Sequence, residues 1–201
     1  MIRSLTDELD NRIAYDDTVL YIDMTFDNIL KFIELSQDEE VGDIEKLEIG
    51  LEMLVENYKE IKDESIKRKV EIFNFILNEF LGERNEGKKE GGDTEDNTKV
   101  MDFTKDADLI YASFLMDYGV DLFEMRGELD WRRFVALLRN LSDETPFKTA
   151  VKYRTMKIPS ADKYGKEYRD HVMRMKRIYS LEDNCNADEV LDQLATFFGR
   201  G

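Results

Sequence analysis

Apolar residues recur at alternating spacings of three and four along two long stretches of this chain. The first stretch contains Ile44, Leu47, Leu51, Leu54, Tyr58 and Ile61, and the second contains Ile66, Val70, Phe73, Leu77 and Phe80. Such spacing keeps one face of an α-helix apolar. The pattern therefore predicts two amphipathic helices joined by residues 62–65. Because each has only two to three heptads, a helical hairpin within the chain is favoured over a seam for a partner helix.

The remaining sequence predicts six more helices and one small β-hairpin. Residues 12–15 and 18–23 read as two short strands around Asp16 and Asp17. Thr25 begins a helix that runs to Leu35. Five helices follow in the second half, beginning near Thr104, Leu129, Thr145, Tyr164 and Asn186. The predicted fold class is mainly α: a bundle of about eight helices with an N-terminal hairpin.

A charged, glycine-rich stretch divides the predicted helices into two groups. Residues 82–99 contain four glycines and no aliphatic or aromatic side chain. Such a stretch buries no apolar area to offset its ordering entropy, so it predicts a disordered linker. The predicted organisation is an acidic N-terminal part over 1–81, a flexible linker over 82–103 and a five-helix domain over 104–201. Trp131, Phe134, Leu138, Phe114 and Tyr118 are predicted to form the core of that C-terminal domain.

The net charge of −16 is spread unevenly along the 201 residues. Residues 1–99 hold 27 acids and 13 bases, whereas residues 139–177 hold 11 bases and 5 acids. The acidic half repels nucleic acid and anionic lipid. The bases just before and within the second region include Arg132, Arg133, Arg139, Lys148, Lys152, Arg154, Arg169, Arg174, Lys176 and Arg177. Since the neighbouring tyrosines fall on the apolar stripe, these bases favour a partner protein or a sister subunit over nucleic acid.

No residue pattern for catalysis, cofactor binding or metal binding emerges from the sequence. The single histidine, His171, and the single cysteine, Cys185, have no neighbours that suit them for chemistry. The acid clusters 38–40 and 93–96 lack the spacing of a calcium loop, and Asp117 to Asp121 reads as a turn around Gly119. We therefore predict a non-enzymatic protein with no catalytic residue, no cofactor and no metal ligand.

The chain has no apolar run long enough to cross a membrane and no visible signal peptide. With one cysteine, it also has no internal disulfide. These features predict a cytoplasmic protein that does not associate with membranes.

Two runs of sequence resemble a known phage family. They are residues 107–122, ADLIYASFLMDYGVDL, and residues 129–147, LDWRRFVALLRNLSDETPF, followed by VKYR at 151–154. Residues 20–30 and 176–181 are also similar. The chain thus resembles the bacteriophage gene product fifteen family, found in long-tailed phages (siphoviruses) and prophages of Gram-positive bacteria. Family members often have a second tryptophan where this chain has Asp130.

The resemblance implies a tail assembly chaperone, which carries no catalytic residues. Its implied partners are the tape measure protein, the major tail protein and other copies of itself. It implies a protein of the host bacterial cytoplasm that is absent from the finished virion. Two alternatives stay open: a helical nucleic-acid-binding regulator that uses the 139–177 bases, and a structural tail component retained in the virion.

Overall fold

The computed structural model describes residues 5–6, 8–16, 18–81, 100–160 and 165–181. The predicted linker at 82–99, the predicted helix from Asn186 and Cys185 lie outside these described residues. The chain divides into two compact units. Unit 1 combines Met1–Gly92 with Asp121–Asn140, and unit 2 combines Asp93–Val120 with Leu141–Gly201.

The described residues form one β-hairpin and seven α-helices. In chain order these are β1 (Arg12–Tyr15), β2 (Thr18–Tyr21), α1 (Phe26–Gln37), α2 (Asp43–Leu54), α3 (Ile66–Ile76), α4 (Ala107–Tyr118), α5 (Trp131–Arg139), α6 (Pro146–Thr155) and α7 (Lys166–Ile178). A short 3-10 helix covers Tyr58–Glu60, and a π-helical turn, Leu77–Leu81, follows α3. The predicted mainly α fold with an N-terminal hairpin is confirmed.

The hairpin of unit 1 is antiparallel and places Ile13 opposite Leu20, both of them buried. The outer edge of β2 is covered by a side chain rather than by a third full strand. Asn57 accepts a hydrogen bond from the Tyr21 amide (3.0 Å) and donates one to the Val19 carbonyl (2.9 Å). This pairing fixes the residues after α2 against the hairpin.

Helix α2 is shorter than the spacing of its apolar residues predicts. It ends at Leu54 because Val55 is extended and forms an isolated antiparallel bridge with Ile22. The Asp23 amide donates to the Leu54 carbonyl at 2.9 Å, which strengthens the same pairing. Ile61 still reaches the core, where it is 3 % exposed, but from the turn that follows the 3-10 helix.

The core of unit 1 is built where the hairpin, α1, α2 and α3 pack together. Gly50 of α2 allows a close approach, because a Cβ there would lie 3.1 Å from Phe32 Cε2 and 3.2 Å from Phe73 Cε2. The rings of Phe32 and Phe73 meet edge to face at 5.7 Å. The fully buried aliphatic residues of this core include Leu20, Ile22, Ile29, Leu51, Leu54, Ile72 and Ile76.

Helix α5 also belongs to unit 1, which corrects the predicted grouping of Trp131 and Phe134 with Phe114. The Phe26 amide donates to the Leu129 carbonyl (2.9 Å), and the Trp131 amide donates to the Met24 carbonyl (2.7 Å). The Phe134 ring then stacks on Phe26 at 5.0 Å. These main-chain bonds join segments about a hundred residues apart, so chain order alone assigns α5 to the wrong core.

Unit 2 packs α6 against both α4 and α7. Phe114, Ala150 and Val172 are fully buried, one from each helix. Helix α4 begins after Asp106 and not after Thr104 as predicted, because the amides of Thr104 and Lys105 both bond to the Asp102 carboxylate. Two other predicted boundaries are confirmed: α4 ends at Tyr118, just before Gly119, whose φ is +63°, and α6 begins with Pro146 after Thr145.

Candidate interaction surfaces

Helix α3 of unit 1 exposes a stripe of apolar side chains, which we name the α3 surface. Ile66 is 44 % exposed and Val70 is 41 % exposed, while Phe73 and Leu77 continue the stripe in a half-buried position. The residues that α3 buries are instead Lys69, Ile72 and Ile76. The predicted seam beginning at Ile66 is therefore only partly covered within unit 1.

A charged cluster between α2 and α3 lies on the face of α3 that turns inward. Lys69 Nζ lies 2.8 Å from both carboxylate oxygens of Glu48 and 3.4 Å from the Tyr58 hydroxyl. The Tyr58 hydroxyl also donates to Glu48 at 2.5 Å. Because a buried ammonium is costly unless paired, this cluster holds the Lys69 side of α3 against α2. Ile66 and Val70 are consequently left outside.

The same cluster shifts the titration of its members. The hydrogen bond from Lys69 lowers the pKa of Glu48, and the hydrogen bond to Glu48 raises the pKa of Lys69. Burial, followed by the hydrogen bond to Glu48, raises the pKa of Tyr58. The charged forms of Glu48 and Lys69 are thus favoured, which suits a structural ion pair and not a lysine nucleophile. The sequence analysis did not single out Lys69. The signal was its position three residues before Ile72 and seven before Ile76, which places all three on one face of α3.

The turn that joins α1 to α2 forms a strongly acidic surface, which we name the acidic corner. Its exposed carboxylates are Glu34, Asp38, Glu39, Glu40, Asp43 and Glu45. Residues 34–45 contain no basic side chain. Ile44 lies within this group and is 63 % exposed, so the acidic corner also offers an apolar contact.

Several of the bases predicted to form a partner surface are used inside the fold. In unit 2, the Arg154 guanidinium makes two bonds of 2.6 and 2.7 Å to Asp106, with side-chain exposures of 5 % and 1 %. It also donates to the Val100 and Tyr179 carbonyls. Lys176 donates to three carbonyls at the end of α6. These two bases hold helices together and are not available to a partner.

Arg132 serves a similar internal purpose in unit 1. Its guanidinium contacts Asp130, the Asn11 side chain and the Asp10 carbonyl, and its side chain is only 10 % exposed. Together these contacts tie the start of α5 to the residues that precede β1. The prediction that Arg132 belongs to an exposed basic stretch is wrong.

Other bases of unit 2 remain on the outside, and we name four of them the basic surface. Lys152 of α6 and Lys166, Arg169 and Arg174 of α7 are all exposed. Over the described residues none of the four forms an ion pair with a carboxylate. Helix α7 also exposes two apolar side chains, Tyr168 at 45 % and Ile178 at 50 %, and two acids, Glu167 and Asp170.

His171 makes a contact within the fold of unit 2. Its Nε2 lies 3.3 Å from the Tyr153 hydroxyl, and the two rings meet edge to face at 6.1 Å. This geometry favours the predicted structural role, because it places an aromatic hydroxyl beside the imidazole and helps to join α6 to α7. Asp117 likewise takes a structural position, accepting hydrogen bonds from the amide and the hydroxyl of Ser142 at 2.6 and 2.9 Å.

Within the part of the chain that the structure describes, no three His, Cys, Asp or Glu residues are grouped so that they could hold a metal ion. None of the described helices combines the length and the apolar character needed to cross a membrane. The features that stand out on the two units are therefore the α3 surface, the acidic corner and the basic surface.

Comparison with known proteins identifies the family. A family model described as Bacteriophage Gp15 protein matches residues 5–181. Because this match covers most of the 201 residues, the chain belongs to that family and is a phage protein, which confirms the resemblance drawn from residues 107–122 and 129–147. No curated protein and no solved structure matches the chain.

Proposed function

We propose that this member of the Gp15 family is a tail assembly chaperone that binds the tape measure protein and keeps it soluble while the tail tube is built. Family membership supports a role in a phage. The observation that carries the proposal further is the α3 surface, which leaves Ile66 and Val70 exposed on an otherwise acidic unit.

The spacing of the α3 surface suits a helical client. Ile66, Val70, Phe73 and Leu77 follow one another at intervals of four, three and four, as in helices that pair along an apolar seam. A tape measure protein is a long helical chain whose own apolar seams aggregate when they are bare. Covering such a seam with α3 removes apolar area from water.

The charge of unit 1 explains how such a complex stays in solution. The described residues of unit 1 carry 23 acidic and 12 basic side chains. Next to the α3 surface, Glu64 and Glu71 are exposed. Lys67 is exposed there as well, but unit 1 as a whole carries an excess of acids, and this net charge opposes the non-specific aggregation of client chains docked on α3. No bond is made or broken in this role, so it requires no catalytic group.

Co-expression with the tape measure protein of the same phage tests the proposal. We expect the wild-type chain to raise the soluble fraction of the client and to co-purify with it. Ile66→Glu combined with Val70→Glu is expected to abolish both effects, because it places two charges in the docking seam. The matched control, Asn74→Glu with Asn78→Glu, adds the same charge at exposed positions nearby and is expected to behave as wild type.

Two results would overturn this function. The first is a client that stays insoluble and unbound beside the wild-type chain. The second is an Ile66 and Val70 variant that works as well as the control. A chaperone also leaves the product, so mass spectrometry of purified particles should find the tape measure protein without this chain. Its presence in particles at a fixed stoichiometry would instead support a structural tail component.

A further inference from the structure

We propose that the basic surface of unit 2 binds the acidic corner of unit 1 on a second copy of this chain. The proposal goes beyond the chaperone function, because it concerns how copies of the protein associate with one another. It rests on two surfaces of opposite charge, each with exposed apolar side chains, that the described residues leave without ion-pair partners inside their own units.

The basic surface is unusual for a chain with a net charge of −16. Lys152, Lys166, Arg169 and Arg174 are exposed and form no ion pair with a described carboxylate. The described part of unit 2 has 10 bases and 8 acids, and one of those acids, Asp106, is buried against Arg154. Because Arg154 is buried with Asp106, the outside of unit 2 keeps the same small excess of bases, and its exposed bases can attract an acidic partner.

The acidic corner supplies a matching surface. It presents six exposed carboxylates between residues 34 and 45. The nearest base along the chain, Lys46, is bound to the Ser36 carbonyl at 3.1 Å and does not pair with these acids. Ile44 at 63 % exposure can pack on Tyr168 or Ile178 of α7, which gives the contact an apolar centre within a charged rim.

A second copy fits the basic surface better than a nucleic acid does. Arg154 and Lys176 are committed to contacts within unit 2, which removes two of the strongest candidates for phosphate binding. Every copy also carries the 23 acids of the described part of unit 1, which repel a polyanion such as a nucleic acid. A second copy also carries a net charge of −16, but its acidic charge can be concentrated at the contact, where the acidic corner meets the basic surface.

The two surfaces are different, so the contact between copies is heterologous. A single such contact leaves one basic surface and one acidic corner unused. Association is therefore completed by a reciprocal second contact in a two-fold dimer, by closure of a ring, or by growth of an open chain. An array of this kind would present several α3 surfaces in a row.

A charge-swap experiment on the full chain tests the contact. The basic variant carries Arg169→Glu and Arg174→Glu, and the acidic variant carries Glu39→Lys and Glu40→Lys. Sedimentation velocity at about 50 mM salt is expected to show assemblies for the wild type, with loss of at least about tenfold in association constant for either variant alone. An equimolar mixture of the two variants is expected to form complexes again, because each supplies the surface that the other has lost.

The control variant separates this contact from a general effect of net charge. Lys59→Glu with Lys62→Glu changes the net charge as much as the basic variant does, at exposed positions of unit 1, and is expected to associate as wild type. Circular dichroism and thermal unfolding confirm that each variant is folded. Because an intramolecular contact between the two charged surfaces is not restored by mixing two different chains, recovery in the mixture identifies contact between copies.

Three outcomes would overturn the proposal. One is a wild-type chain that stays monomeric at low salt and high concentration. Another is association that the basic variant and the Lys59 and Lys62 control reduce equally. The third is a basic variant that associates normally but loses salt-dependent binding to a labelled DNA duplex, which would assign the basic surface to nucleic acid. Since no arm uses the tape measure protein, these failures leave the chaperone function untouched.

Discussion

Phe134 offers the most direct test of how unit 1 is built. Its ring is 1 % exposed and stacks on Phe26 at 5.0 Å and on Trp131 at 5.5 Å. Replacing a buried phenylalanine by alanine costs about 3–5 kcal/mol. Aromatic pairs contribute about 0.5–1.5 kcal/mol beyond burial. We therefore expect Phe134→Ala to lower the free energy of unfolding by an amount near the upper end of the first range. This is a large part of the roughly 5–15 kcal/mol that stabilises a domain.

Urea unfolding followed by tryptophan emission measures this effect in the correct unit. Trp131 is the single tryptophan of the chain, so its emission reports the unfolding of unit 1. With a slope of about 2 kcal/mol per molar urea, a loss of about 4 kcal/mol moves the midpoint down by about 2 M. Phe123→Ala is the matched control, because this phenylalanine of unit 1 is 61 % exposed with its ring 4.6 Å from the Arg126 guanidinium. Its expected cost is about 1 kcal/mol or less.

The reasoning fails if Phe134→Ala moves the midpoint no further than Phe123→Ala does. That result would mean that the Phe134 ring is not buried against Phe26, and it would contradict the packing of α5 on α1. A second check uses the near-ultraviolet circular dichroism of the folded protein. Loss of the stacked ring next to Trp131 should reduce the tryptophan bands in Phe134→Ala and leave them unchanged in Phe123→Ala.

Two further predictions concern the buried ion pairs. Arg154→Met leaves Asp106, whose side chain is 1 % exposed, without its bidentate partner. Thermal unfolding should therefore show a free energy of unfolding lower by about 3–5 kcal/mol. The double variant with Asp106→Leu should lose less than the sum of the two single changes, because it leaves no unpaired carboxylate. Glu48→Met should lower the free energy of unfolding by at least about 1 kcal/mol more than Lys69→Met does. The first variant leaves Lys69, whose side chain is 6 % exposed, without its partner, whereas the second leaves Glu48, whose side chain is 34 % exposed and stays hydrated. The hydrogen bond from Lys69 lowers the pKa of Glu48 below its ordinary 4.5. The stabilisation that ionised Glu48 contributes is therefore present above pH 4.5 and is lost as the pH falls through the lowered pKa. Denaturant titrations at several pH values should show that Glu48→Met lacks this part of the acid dependence. Equal losses for the two methionine variants would contradict the burial argument.

Local signals are enough to predict most of the secondary structure. The stop of α4 at Gly119 and the start of α6 at Thr145 and Pro146 depend on backbone conformations that these residues favour by themselves. The hairpin is predictable for a similar reason, since Asp16 adopts the positive φ of +49° that a tight turn requires and aspartate tolerates it. Helix ends and turns that depend on a few neighbouring residues can therefore be predicted from the sequence before the tertiary structure is known.

Features decided by distant segments are not predictable in this way. Helix α2 stops at Leu54 although its apolar spacing continues to Ile61, because Val55 forms a bridge with Ile22, the residue that follows β2. Helix α5 joins unit 1 because Trp131 bonds to the main chain of Met24. In both places the main chain gains hydrogen bonds with a partner that no periodicity in the local sequence reveals, so a grouping based on chain order fails.

Helix α3 shows why an apolar seam alone does not separate a core from a docking surface. Its sequence contains two overlapping stripes, one through Ile66 and Val70 and one through Ile72 and Ile76. Both have helical spacing, so hydrophobicity alone does not choose between them. Lys69 lies on the side of the second stripe, and its contacts with Glu48 and Tyr58 favour the inward position of that stripe. The first stripe stays on the outside, and the proposed chaperone function assigns it to a helical client.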